Sequence, residues 1–119
     1  MKPTLIIGAS SNPSRYSYLA AQRLIRHNHP IYLIGLKSGN LFDEKIHTNM
    51  FPIEHLDTVT LYINPSRQPQ YYDYILSLNP KRVIFNPGTE NKAFEQLLID
   101  KNIVPERACT LVMLSTGTY

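Results

Sequence analysis

Short apolar runs alternate with stretches of helical periodicity along the whole chain. Leu5 to Ile7 read as a buried strand, short and rich in branched residues. Apolar Ala20, Ala21, Leu24 and Ile25 then recur at helical spacing, with Arg23 and Arg26 on the opposite side and Ser17 as the expected N-cap. The cluster His27-Asn28-His29-Pro30 ends that helix, because proline disfavours helical backbone in the residue before it. Ile31 to Ile34 predict a second strand. Leu41 to Leu56 carry no regular pattern and are expected to be irregular, with a turn at Phe51-Pro52. Thr58 to Ile63, β-branched and aromatic, predict a third strand. Pro69 suits the first turn of a helix whose face is Tyr71, Tyr74, Ile75 and Leu78, widened by Tyr72 and Leu76. Arg82 to Phe85 give a fourth strand, and Ala93, Phe94, Leu97 and Leu98 a helix. Ile103 and Val104 begin a fifth strand, and Cys109 to Leu114 form a closing helical turn.

Alternating strands and helices call for an α/β fold with a mostly parallel, five-stranded sheet covered on both faces. Right-handed crossovers give 3-2-1-4-5 as the expected strand order. The polar loops after strands 1 to 4 then meet at the carboxyl edge, where ligands bind in open α/β sheets.

The chain's 119 residues are expected to form one domain, residues 1–119, with a core that needs no metal or disulfide. A single cysteine, Cys109, cannot pair within the chain, and no apolar run reaches membrane-spanning length. With no charged-then-apolar leader, a cytoplasmic protein is expected, bound neither to membrane nor to nucleic acid. The net charge of +3 is mild and is not gathered into a basic tail, but it fits an anionic small molecule.

Candidate chemistry concentrates after the first strand. Gly8 permits a tight turn and close approach of a diphosphate. The helix that follows turns N–H groups and its positive end toward the loop. Ser10, Ser11 and Ser17 add hydroxyls, and Arg15 adds a guanidinium. Only the first of the three fingerprint glycines is present, since Ser10 and Pro13 occupy the other two positions. Beyond the second strand comes Lys37, with no carboxylate before Asp43. A cation there suits a phosphate on the adenosine ribose, as in coenzyme A or NADP. No Tyr-x-x-x-Lys pair, nucleophile elbow or Walker lysine occurs, so no catalytic residues are assigned. Cys109 is read as a packed thiol, Tyr71, Tyr72 and Tyr74 as core and boundary residues. His27 and His29 are read as solvated turn residues, so no metal site is expected.

The loop Gly8-Ala9-Ser10-Ser11-Asn12-Pro13-Ser14-Arg15-Tyr16-Ser17-Tyr18 resembles the G-A-S-x-x-P-x-R-x-S-Y opening of small, single-domain CoA-binding proteins. These in turn resemble the CoA-binding domain of the succinyl-CoA synthetase alpha subunit. The similarity continues through Lys37, Asn86-Pro87-Gly88-Thr89-Glu90-Asn91 and Glu106-Arg107-Ala108-Cys109, nearly the whole chain. It implies a Rossmann-like three-layer sandwich that binds coenzyme A or an acyl-CoA, with the diphosphate at Gly8 to Ser17. It also implies that the stretch after Asn86 lines the pantetheine side. Candidate contacts are then Gly8, Ala9, Ser10, Asn12, Pro13, Arg15, Tyr16 and Ser17. Gly35, Lys37, Asn64, Asn86, Pro87, Gly88 and Asn91 complete the set. The chain departs from the family pattern at two loops. Gly35-Leu36 stands where many relatives carry Asn-Pro or Ser-Pro, and Ile63-Asn64-Pro65 where many carry Phe-Arg. The synthetase's domain with the phosphorylated histidine is absent, so ligase chemistry is not expected. The expected function is a CoA-binding module, as a single chain or a homodimer. The alternative is an NAD(P)-binding redox protein or sensor.

Overall fold

Leu5 and Ile7 face one side of the central sheet and Ile6 the other, and two cores grow from that alternation. The computed structural model describes residues 1–119. The chain runs β1 (Thr4–Ile7), α1 (Tyr16–Arg26), β2 (Ile31–Ile34), β3 (Gly39–Leu41), β4 (Glu44–His47) and β5 (Thr58–Leu61). Two 3-10 turns, Pro65–Arg67 and Pro69–Tyr71, lead into α2 (Tyr72–Leu78). Next come β6 (Arg82–Phe85), α3 (Lys92–Asp100), β7 (Val104–Arg107) and α4 (Thr110–Thr116).

The sheet has seven strands in the order β3-β4-β2-β1-β5-β6-β7, and only β3 runs antiparallel to its neighbour. On one face, Ile6 and Leu33 pack with Ala21 and Leu24 of α1 and Leu114 of α4. On the other, Leu5, Ile7, Leu61 and Phe85 pack with Ile75 of α2 and with Phe94 and Leu98 of α3. The α/β class and the parallel sheet agree with the sequence pattern.

Strand number and order do not. The stretch expected to be irregular holds the β3–β4 hairpin, closed by Phe42 and Asp43 with φ of 52° and 68°. Two consecutive positive φ values are what a tight hairpin turn requires, and here neither residue is glycine or asparagine. β4 pairs with β2 through Leu33–Ile46 and Ile34–His47, so the outer edge of β2 is taken. The strand beginning at Thr58 therefore crosses to the free edge of β1, in register Ile7–Leu61. Instead of the expected 3-2-1-4-5, the five anticipated strands stand in the order 2-1-3-4-5, with the hairpin outside the second. This puts the topological switch between β1 and β5.

One boundary also moves. Ser17 is not the N-cap of α1: the helix begins at Tyr16 and its cap residue, Arg15, makes no side-chain capping bond. Ser17 is instead buried inside the first turn.

At the amino end of the sheet, the Tyr119 hydroxyl bonds the Thr4 hydroxyl, and Arg82 lies 4.4 Å from the centre of the Tyr119 ring. His29 Nδ1 accepts the Lys2 N–H at 2.9 Å, and its ring sits 4.9 Å from that of Tyr119. Burial, and then surrounding positive charge, lowers the His29 pKa. The folded state thus binds fewer protons than the unfolded one once pH falls below about 6.5, the ordinary histidine value. Stability from this group is complete above that value and is lost as pH drops toward the folded one. Urea midpoints at pH 7.5 and 5.5 should differ, and His29→Asn should flatten the difference. An equal slope in both proteins would assign it to other groups.

β7 forms the far edge of the sheet. Its flanking N–H groups on Val104 and Ala108 turn inward to Lys81 and Phe85 carbonyls at 3.1 and 3.2 Å. Pro105, one residue out of phase, lies on the outward side, where its lack of an N–H leaves no inner bond unmade.

Candidate functional site

A cleft of about 480 Å³ opens at the carboxyl ends of β2, β1 and β5. Gly8 to Asn12 form its floor, and Arg15 to Ser17 bring in the start of α1. Gly35 to Lys37 line one wall; Tyr62, Ile63, Arg67 and Tyr71 line the other. It lies at the switch point, where α1 and α2 leave for opposite faces of the sheet.

Local hydrogen bonds shape the floor. Gly8 and Ala9 N–H both donate to the Ile34 carbonyl at 2.9 Å, which ties the loop to β2. Asn12 N–H donates to Ser10 Oγ at 3.0 Å, and Asn12 Oδ1 accepts the Ser14 N–H at 3.0 Å. Pro13 follows within this turn and does not line the cleft. These bonds hold the loop through acceptor atoms and leave the Ser10 hydroxyl proton and Asn12 Nδ2 free to donate. The N–H groups of Ser10, Ser11, Tyr16 and Ser17 have no acceptor in the chain. Free N–H groups at an uncapped helix start suit an anion.

Backbone approaches make two glycines necessary. Gly8 has φ of 97°, and a Cβ there would stand 2.7 Å from the Tyr62 carbonyl oxygen. At Gly35 a Cβ would stand 2.3 Å from the Ala9 carbonyl oxygen. Both side-chain-free positions let three strand ends converge under the cleft.

Three cations line the cleft (Arg15, Lys37 and Arg67), and no carboxylate does. The chain's ion pairs are Lys81–Asp57, Arg82–Glu106 and Arg107–Glu95, so none of the three cleft cations has an acidic partner. Tyr62 lines the cleft and packs against the core on the α1 face, and its hydroxyl is buried without a hydrogen-bond partner. Burial pushes that phenol far above the usual tyrosine range, so it stays protonated. Hydroxyls, free N–H groups and unpaired cations are the chemistry of holding phosphates.

Of the expected contacts, Gly8, Ala9, Ser10, Asn12, Arg15, Tyr16, Ser17, Gly35 and Lys37 come together in this cleft. Pro13, Asn64, Asn86, Pro87, Gly88 and Asn91 lie outside it. Asn86 is buried: Nδ2 donates to Thr60 Oγ1 and the Leu61 carbonyl at 2.7 and 2.8 Å, and Oδ1 accepts the Thr110 N–H at 2.9 Å. Asn91 caps α3 through the Phe94 N–H at 3.1 Å and donates to Gln68 Oε1 and the Tyr72 hydroxyl at 3.0 and 2.8 Å. Asn64, Pro87 and Gly88 are exposed. Sequence reasoning missed Leu36, Tyr62, Ile63, Arg67 and Tyr71. Four of these follow β5: in the sequence pattern Tyr62 and Ile63 belong to the third strand and Tyr71 to the core face of a helix.

The chain is thus an open α/β domain with a cationic, acid-free cleft at its switch point. Residues 2–115 match the CoA binding domain family, and the chain belongs to that family. No curated protein matches the chain. Among solved structures it is similar to an uncharacterized protein at 54% identity, covering 100% of this chain and 98% of that one, with TM-score 0.98. A protein of Thermus thermophilus shares the fold at 18% identity and TM-score 0.87, over 99% of this chain and 90% of that one. A hypothetical protein of Pyrococcus horikoshii OT3 does so at 19% identity and TM-score 0.84, over 95% and 81%. No helix is long and apolar enough to cross a membrane.

Proposed function

We propose that the cleft binds coenzyme A or an acyl-CoA, with the diphosphate at the start of α1 and the ribose phosphate toward Lys37. One observation carries this reading: three unpaired cations and four free N–H groups share one cleft without a carboxylate. Family membership supports the ligand class. The pantetheine arm leaves the cleft over the exposed Pro87-Gly88 turn beyond β6.

Arg15 is exposed at the helix start, so its phosphate contact is partly screened by water. Arg15→Ala should cost about 1–2 kcal/mol of CoA binding, within the range of a charge-assisted hydrogen bond. Arg15→Lys should restore part of it, because lysine lacks the planar fork. Calorimetric titration showing no loss in Arg15→Ala would leave this arginine as a solvated helix-start residue.

Parallel titration of CoA, dephospho-CoA, NADP and NAD tests the reading as a whole. CoA should bind more tightly than dephospho-CoA, and Lys37→Ala should narrow that gap. NAD should bind worst, since it lacks the ribose phosphate and meets no carboxylate for its ribose hydroxyls. Tightest binding of NADP would transfer the site to the dinucleotide reading.

A further inference from the structure

We propose that Arg67 is a ligand-binding residue that grips the diphosphate from the β5 wall, and that Gln68 is the positioning residue that holds it there. The inference rests on the CoA reading of the cleft and adds a contact that the opening loop does not contain.

Sheet register places it. Ile7 pairs with Ile34 on one side and with Leu61 on the other, so the loop carrying Gly8 leaves the sheet between two neighbouring strand ends. Lys37 extends from the β2 side and Arg67 from the β5 side. The two cations thus flank the diphosphate loop from opposite directions. A ribose phosphate drawn toward Lys37 is remote from Arg67, which leaves the diphosphate as the anion within its half of the cleft.

The backbone that carries Arg67 is also held with little freedom. It ends the 3-10 turn Pro65–Arg67, its N–H donates to the Asn64 carbonyl at 3.0 Å, and Pro69 begins the next turn. Gln68 is completely buried. Its Nε2 donates to the Ile63 and Thr89 carbonyls at 3.1 and 2.8 Å, while its Oε1 accepts from Asn91. A buried amide with all these bonds satisfied fastens the loop after β5 to the loop after β6. Arg67, next to that anchor, is a half-buried residue, and its guanidinium has no carboxylate partner. Such a cation, held on a rigid turn and facing a cleft, gives up little conformational entropy when an anion arrives.

The test is titration of CoA and dephospho-CoA into the wild-type chain and its variants at low salt. Arg67→Ala should weaken both ligands by the same factor, about ten-fold, and Arg67→Lys should recover part of the loss. Arg26→Ala removes the same charge at the far end of α1 and should bind like wild type. Gln68→Met should weaken binding too, yet cost no further affinity when added to Arg67→Ala, as expected of a residue that acts through its neighbour. Unchanged affinity in Arg67→Ala, with wild type binding CoA, overturns the inference alone. A loss confined to CoA moves Arg67 to the ribose phosphate and also overturns it. Additive losses in the double variant remove the positioning role of Gln68. Failure of wild type to bind either ligand overturns the CoA reading itself.

Discussion

Gly8→Val should destabilise the fold more than any other single change at the cleft. A Cβ at this position would sit 2.7 Å from the Tyr62 carbonyl oxygen and 2.9 Å from its carbon, and both belong to backbone that cannot swing aside. The residue's φ of 97° adds strain for any side chain, and a β-branched one most. Overpacking and positive-φ strain together come to roughly 3–5 kcal/mol. Against a total stability of about 5–15 kcal/mol, that is a large share. Thermal unfolding followed by circular dichroism should show a midpoint lowered by more than about 10 °C, or no cooperative transition. Gly8→Ala should fall between the two. A variant with a wild-type midpoint would show that β1 and β5 can separate at their carboxyl ends without cost. The sequence assigned this glycine to ligand approach. The structure gives it an earlier duty, since without it the two strands that frame the cleft cannot meet.

Asn86→Ala should be the second costly change, and its cost should appear in stability rather than in binding. The amide holds β5 through Thr60 and Leu61 and holds the start of α4 through the Thr110 N–H, all in the buried interior. Removing it strands a buried N–H and a buried carbonyl and opens a small cavity, a loss of about 3 kcal/mol. Urea unfolding should show a lower midpoint at unchanged slope. CoA affinity of the remaining folded protein should match wild type. A stable variant with weakened binding would instead return Asn86 to the ligand and require the loop after β6 to open.

Strong periodicity made most elements legible. Leu5 to Ile7, Ile31 to Ile34 and Arg82 to Phe85 are short apolar runs between turn residues, and each is a strand at those bounds or within one residue of them. The hairpin was hidden because only Leu41 and Ile46 in its two strands point into the core, too few for a visible alternation. Its turn residues, Phe42 and Asp43, carry no glycine signal. That one omission had a long reach. Without β4 the pattern leaves the edge of β2 free for the third strand, and the switch point then falls on the wrong side of β1. The opening loop survived because its chemistry is local: Gly8, Ser10, Arg15 and Ser17 lie within ten residues of one another. Asn86 and Asn91 were legible as loop residues but not as brackets between elements, because their partners, Thr110 and Gln68, lie 24 and 23 residues away in sequence.

Pro105 bears on how this chain meets others. A sheet edge recruits a neighbouring strand by offering alternate N–H and carbonyl groups along its free side. Along the free side of β7 the donors would come from residues 105 and 107, and the first of these is proline. The edge is left with one donor where a templating strand would need a row. A strand added on this side would find that one donor, and the proline that removes the other costs the fold no hydrogen bond. The exposed hydrophobic Val104 lies directly beside this interruption of the edge.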